Sequence, residues 1–268
     1  GNPYFVDLDI LFEKGLITLA ELSEAKQHTP YSCEFEKLEE DRLALLKKAA
    51  LRVCHEERTK IERTVFAKRP IFDFCRFMAL KEANKYAEWH EWTNDSYDAE
   101  VLFAWEFIEH EFLVQWNEIR RYANAKGIKI IGDIPIYVAY DSSDVWANKN
   151  EFQLDEKGRL KAVAGVPPDY FAKDGQLWGN PLYDWEAMRL NDFSWWRERM
   201  KYMLELFDGV RIDHFRGIES YWSIPADAKT AKAGKWGERA DRIISGKYTA
   251  VPVALLLLTV VFWITIQG

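Results

Sequence analysis

Between positions 99 and 126 the apolar residues recur every three or four positions: Val101, Trp105, Ile108, Phe112, Trp116, Ile119 and Ala123. That is the helical period, and it predicts a helix over Ala99–Lys126 stopped by Gly127. An aromatic stripe at this spacing is either packed core or a ligand face, and the regular period favours core. Further upstream, Leu38, Leu45, Leu46, Ala49 and Val53 trace one stripe of a charged helix around Glu36–His55, and a second helix covers Phe72–Ala83. Thr18 followed three positions later by Glu21 fits a capping box, in which each side chain satisfies the other's backbone N–H. The pattern therefore predicts a helical layer over residues 1–125, with few or no long strands.

The texture changes after Gly127. Ile128-Lys129-Ile130-Ile131 is a β-branched run, hence a strand, and Gly132-Asp133 follows it. The same order returns downstream. Ser194 is a cap, Trp196, Met200, Met203, Leu204 and Phe207 mark a helix face, Gly209 stops it, and Val210-Arg211-Ile212-Asp213 is the next strand. Helix, Gly, strand and Asp written twice predicts α/β units with a parallel sheet. Each acid is expected at the carboxyl end of its strand, where such folds place their chemistry. Between the strands, roughly Ile134–Asp192, prolines and glycines punctuate the chain and read as one long loop, a connection that at this length is either functional or wrongly assigned. Its aromatics are Trp146, Tyr170, Phe171, Trp178, Tyr183 and Trp185. Aromatic faces above strand ends suit the apolar face of a sugar ring; packing of the loop on itself is the other reading.

Composition narrows the classes. Of 268 residues, 48% are hydrophobic and 29% charged, which is globular composition, and the net charge of −7 gives no basis for a nucleic-acid partner. Cys33, Cys54 and Cys75 form no CxxC pair; they read as reduced thiols, which predicts a cytoplasmic protein without a zinc site. There is no dinucleotide or Walker glycine loop, and Asp141-Ser142-Ser143-Asp144 lacks the spacing of a calcium loop, so no cofactor and no metal are expected. His214 has no second histidine at ligand spacing. The chain opens without Met or a signal peptide. After Lys247 it carries no charge, and Val251–Ile266 is almost continuously apolar. The uncharged run of 21 residues is long enough to span a bilayer. It is expected to be foreign to the domain, helical or disordered and poorly packed, with a membrane-associated chain as the alternative.

The strongest chemical candidate lies on the second strand. Side chains alternate, so Arg211 and Asp213 share one face, about 6.6 Å apart at their Cα atoms. A guanidinium beside a carboxylate keeps it ionised, and an ionised strand-end carboxylate can attack an electrophilic carbon, as the nucleophile of a retaining glycosidase or transglycosylase does. A structural salt bridge is the competing reading of the same spacing.

Five blocks, in order, resemble those of the 4-α-glucanotransferases (amylomaltase, or disproportionating enzyme). Gly132-Asp133-Ile134-Pro135-Ile136-Tyr137-Val138 resembles GDLPIYV, and Asp141–Ala147 continues that pattern. Ala164–Phe171 matches AGVPPDYF, Gly175–Tyr183 matches GQLWGNPLY, and Val210–Gly217 matches VRIDHFRG. The resemblance runs from Gly1 to about Trp236. It implies an α/β fold: part of a (β/α)8 TIM-type barrel with a large helical insertion, incomplete at both ends. Residues 1–125 would be the insertion, 126–239 the barrel segment with the catalytic loops, and 240–268 an apolar tail foreign to the family. It implies transfer of α-1,4-glucan segments between maltooligosaccharides through a covalent glucosyl-enzyme. Asp213 would be the nucleophile, Arg211 its orienting partner, and Asp133 the acid supporting sugar and site. His214, Asp169, Tyr170, Trp178, Asn180 and Pro181 would contact substrate. The family's AEDLG block, which carries the general acid, and its THDN block are absent from this sequence. Glu219 is the nearest downstream acid. The chain is therefore expected to be a fragment, inactive alone; a glucan-binding remnant and a membrane-tethered fusion product are the alternatives.

Overall fold

The computed structural model describes residues 1–29 and 31–237. The uncharged tail, and with it the expectation about its packing, lies outside the described residues. The chain divides by contact into two units.

The first unit comprises Gly1–Gly132, Asp141–Asn148 and Ser194–Val210. Its axis is one long helix, Ala99–Ala125, capped by Asp98, whose carboxylate accepts the Glu100 N–H at 2.7 Å. Gly127, at φ +76°, ends it in the left-handed conformation that a residue with a Cβ avoids. Helices Leu43–Ala50, His55–Phe66 and Arg69–Ala83 pack on it. Leu46, Ile61, Ile71, Cys75, Phe103, Phe107 and Ile108 form the core between them. No described residue in 1–125 is in a strand. The capping box forms as expected, with Thr18 N–H donating to Glu21 at 2.8 Å.

Two details differ from the pattern. The long helix is buried on every side from Phe103 to Glu109, because neighbours surround it; a single stripe describes only a helix lying on a surface. The helix expected around Glu36–His55 is broken. A π-turn occupies Leu38–Arg42, a helix follows over Leu43–Ala50, and a new one starts at His55. The Arg42 guanidinium donates to the Val6 carbonyl, tying the π-turn to the first segment of the chain.

The strand expected at Ile128–Ile131 forms later, as β1 (Ile131–Pro135). Its register is set by Asp208, a residue that the pattern passed over. The Asp208 carboxylate accepts from the Ile130 N–H at 2.9 Å, from Asn124 at 2.8 Å and from Arg120 at 3.0 Å. These bonds hold its pKa down at about 2, the Ile130 N–H contributing most. Asp133 therefore sits mid-strand rather than after the strand, because pairing begins only where Asp208 clips the two segments together.

The second unit comprises Asp133–Tyr140, Lys149–Phe193 and the chain from Arg211 onward. Here the expectation of one long loop is corrected. Two of the motif blocks are strands, β2 (Ala162–Val166) and β3 (Gln176–Pro181). With β5 (Trp222–Pro225) and β6 (Lys235–Trp236) they form an antiparallel sheet in the order β3-β2-β5-β6, and Val163 pairs with Ile224. The short strands carry turn residues at both ends, which hid them. Val163, Ile224 and Ala231 make their small core. The fourth strand in chain order, β4 (Gly209–Asp213), pairs with β1. Asp208 N–H donates to the Ile130 carbonyl at 2.8 Å, and Arg211 reaches Asp133, so the two strands run parallel, as the repeated order predicts.

Candidate functional site

On β1, Gly132 and Ile134 are buried while Asp133 points outward. On β4, Arg211 and Asp213 point outward together, as the two-residue period requires. Parallel pairing then brings the three outward side chains to one place. Arg211 Nε donates to Asp133 Oδ1 at 3.1 Å, and its Nη2 forms a second, shorter bond to Oδ2. The same Nη2 lies 4.0 Å from Asp213 Oδ1. The guanidinium thus stands between two carboxylates and is closer to Asp133 than to the acid on its own strand. The hydrogen bond from Arg211 is the main reason that the Asp133 pKa falls below the ordinary carboxylate value. Sequence spacing pointed to the Arg211–Asp213 pair; the cross-strand contact is the tighter one.

The chain leaves β4 through His214, which is left-handed at φ +52° without being glycine. Such a conformation costs roughly 1–3 kcal/mol and persists only where the surroundings impose it. The His214 ring lies 4.9 Å from that of Trp178, edge to face at 78°. Trp178 is followed, within β3, by Gly179 at φ +78°. Tyr137, just past β1, lies 6.1 Å from Trp178 and 6.5 Å from His214. Three segments therefore converge at His214, the residue after Asp213. Tyr137 is a site component that the sequence reading saw only as part of a motif.

Other expected contact residues do different work. Asn180 donates its amide to the Val138 carbonyl at 2.9 Å, and Pro181 is buried at the end of β3. Tyr183 is buried, stacks on Tyr137 at 6.0 Å, and donates its hydroxyl to the Ile136 carbonyl. The Asp169 carboxylate accepts from the Phe171 N–H at 2.8 Å and the Ala172 N–H at 2.6 Å, shaping a turn. That turn holds Tyr170 and Phe171 out in solvent, each 94% exposed. Half-buried Trp146 packs on Phe77 and Trp92 within the first unit, at 6.0 and 6.1 Å, among the helices rather than with the strand residues. Asp141 in the same block accepts from Lys81 and from the Trp89 N–H. Glu219, on the short helix Arg216–Glu219, accepts from Ser220 Oγ at 2.7 Å. Among the described residues, no group of three His, Cys, Asp or Glu side chains is placed to hold a metal, and no helix is long and apolar enough to cross a membrane.

A family model described as 4-alpha-glucanotransferase matches residues 1–245. The chain is 42% identical to a 4-alpha-glucanotransferase of Synechocystis sp. over 88% of its own length and 50% of that protein's. It is 41% identical to one from Clostridium butyricum over 88% of the chain and 52% of the relative. Its structure is similar to that of the Streptococcus agalactiae amylomaltase solved in complex with acarbose, at TM-score 0.79 and 34% identity, covering 90% of this chain and 52% of that one. The chain thus spans about half the length of the curated relatives it matches.

Proposed function

This chain belongs to the 4-alpha-glucanotransferase family, its fold is a partial α/β barrel of the amylomaltase type, and from that premise we propose that it supplies the nucleophile side of an α-1,4-glucan transfer site. One observation carries the reading: Asp133, Arg211 and Asp213 meet on the outward face of two parallel strands. In the proposed reaction the Asp213 carboxylate attacks the anomeric carbon of a maltooligosaccharide. The C1–O4 bond breaks, and its electron pair leaves with O4, which takes a proton from a general acid. A glucosyl ester on Asp213 results. The 4-hydroxyl of a second sugar then attacks C1, returns its proton to the base form of that acid, and frees Asp213 with retention. Arg211 holds Asp133 ionised and orients Asp213; Asp133 binds sugar hydroxyls. Trp178 and His214 supply a face for the ring, and Asp169, Tyr170, Asn180 and Pro181 shape or line its approach. No cofactor enters this chemistry.

In this reading residues 1–125 are a helical insertion, 126–239 the barrel segment, and 240–268 a tail outside the family pattern. The three cysteines are unpaired, which suits a reducing compartment such as the cytoplasm. Retaining transfer needs a second carboxyl group about 5 Å from the nucleophile. The residues that match the family around Asp213 include no AEDLG block, so the general acid is expected from the other half of the relatives' length. The test is transfer from maltotriose, as donor, onto the 4-hydroxyl of labelled glucose, as acceptor. The 268-residue chain alone should show none; adding the complementary half of a relative should produce it, and Asp213→Asn in the complemented protein should abolish it. Transfer that survives Asp213→Asn would overturn the proposal. Transfer by the chain alone would direct the search for the acid to Glu219.

A further inference from the structure

The left-handed His214 raises the question of what holds it. The peptide that follows Asp213 turns through this residue, so its conformation fixes where the Asp213 backbone ends. The next turn is short: Gly217 N–H donates to the His214 carbonyl at 2.9 Å. A Cβ on Gly217 would lie 3.0 Å from Tyr137 Oη, 3.1 Å from Ile136 Cδ1 and 3.3 Å from His214 Cδ2. The turn is therefore closed down onto the Tyr137 phenol, and a Cβ at Gly217 would press the phenol, Ile136 and His214 outward by a few tenths of an ångström. Tyr137 is itself fixed. The carbonyls on either side of it, Ile136 and Val138, accept side-chain bonds from Tyr183 and Asn180, and the Tyr183 ring stacks beneath it at 20°.

The geometry points to Tyr137 as a positioning residue: its ring, pinned from the β3 side, clamps His214 and Gly217 and so sets the position of the Asp213 carboxylate. No atom of Tyr137 need touch substrate. Without the ring, His214 is free to leave the left-handed region for the extended one that L-residues prefer, and the strand end carrying Asp213 moves with it. A displacement of about 1 Å at a reacting group costs about a hundredfold in rate. The consequence for transfer rests on the function proposed above; the clamp itself does not.

The experiment has two arms. In the 268-residue chain, NMR follows the His214 ring protons, shifted by the nearby Trp178 ring, and its Cα shift, which reports backbone conformation. In the complemented protein, transfer gives kcat and KM. Tyr137→Leu should move the His214 signals to extended values and lower kcat about a hundredfold, with KM within about threefold, and Tyr137→Phe, which keeps the ring, should restore both. Gly217→Ala, pressed against the phenol oxygen, should lower kcat about tenfold, and adding Tyr137→Phe should recover part of that loss. A merely structural role would lower the amount of folded protein and leave kcat per folded molecule unchanged. If Tyr137→Leu does not fold, the Gly217→Ala pair decides. Left-handed His214 signals in Tyr137→Leu, a loss confined to KM, or no rescue of Gly217→Ala would overturn the clamp. If the complemented wild type transfers nothing, the proposed function fails, and the His214 signals still decide the clamp.

Discussion

On the central helix, Glu106, Glu109 and Glu111 are 4%, 2% and 3% exposed; on the paired strands β1 and β4, the side chains of Asp133 and Asp213 are 51% and 67% exposed. Burial drives the Glu106 pKa up to about 7, and Glu109 upward as well. A hydrogen-bonded guanidinium drives Asp133 down. A search for displaced carboxyl groups alone would stop first at Glu106 and land in the scaffold. The cause of the shift tells the regions apart. A pKa raised by desolvation marks buried packing that penalises the charged form; a pKa lowered by a partner held across two strands in the open marks a place where a ligand can be received.

The comparison predicts that stability and chemistry separate. The largest effect should come from Asp213→Asn: transfer by the complemented protein falls by a factor of about a thousand or more, while the thermal midpoint stays put because the side chain has no packing to lose. A fall in midpoint of several degrees would break the separation. Next comes the core. Phe107 is buried at the centre of the long helix, and Phe107→Ala should cost about 3–5 kcal/mol in urea unfolding. A cost under about 1 kcal/mol would mean that the helix is not the axis of the unit.

Much of this division is legible in the sequence. The period of three and four located the long helix, and helix–Gly–strand–Asp located the second strand and the parallel pairing, while it set the first strand three residues early. What the pattern missed has physical causes. A helix surrounded by neighbours has no polar face, so one stripe could not reveal that Glu106 and Glu109 are inside. β2 and β3 are five or six residues long and flanked by proline and glycine, which reads locally as loop; only their pairing partners, β5 among them, define them. The Asp133–Arg211 contact joins residues far apart in sequence, and no local spacing encodes it. Asp208, which sets the register, carries no period at all.

A pH experiment sharpens the contrast at a smaller scale. The Glu106 pKa is about 7 when folded and 4.5 in an unperturbed chain. A carboxyl group raised by folding stabilises the protein below its unfolded value, and that contribution is lost as pH rises through the folded one. The window is therefore pH 4.5 to 7. Glu106→Gln should flatten the decline there and stabilise the chain at pH 8 by about 1–3 kcal/mol. Asp133 has the opposite sign: its lowered pKa favours the folded state above the unfolded value, and that is lost only as pH falls through the folded one. A decline that survives Glu106→Gln would assign it to another buried acid, with Glu109 first.

The smallest expected effect on stability is at the most conspicuous aromatics of the second unit. Tyr170 and Phe171 touch each other edge to face at 5.6 Å and otherwise stand in water. Their turn is held by backbone N–H groups on the Asp169 carboxylate, not by the rings. Tyr170→Ala with Phe171→Ala should therefore change unfolding free energy by less than about 0.5 kcal/mol, the range of surface substitutions. Two large rings kept in solvent by a built turn are open to a ligand, and the proposed function puts Tyr170 on the sugar's approach. Calorimetry with maltotriose on the complemented protein should then show weaker binding by about 1 kcal/mol or more. A destabilised variant with unchanged sugar affinity would move these rings from the site to the scaffold, and with them the boundary between the two regions.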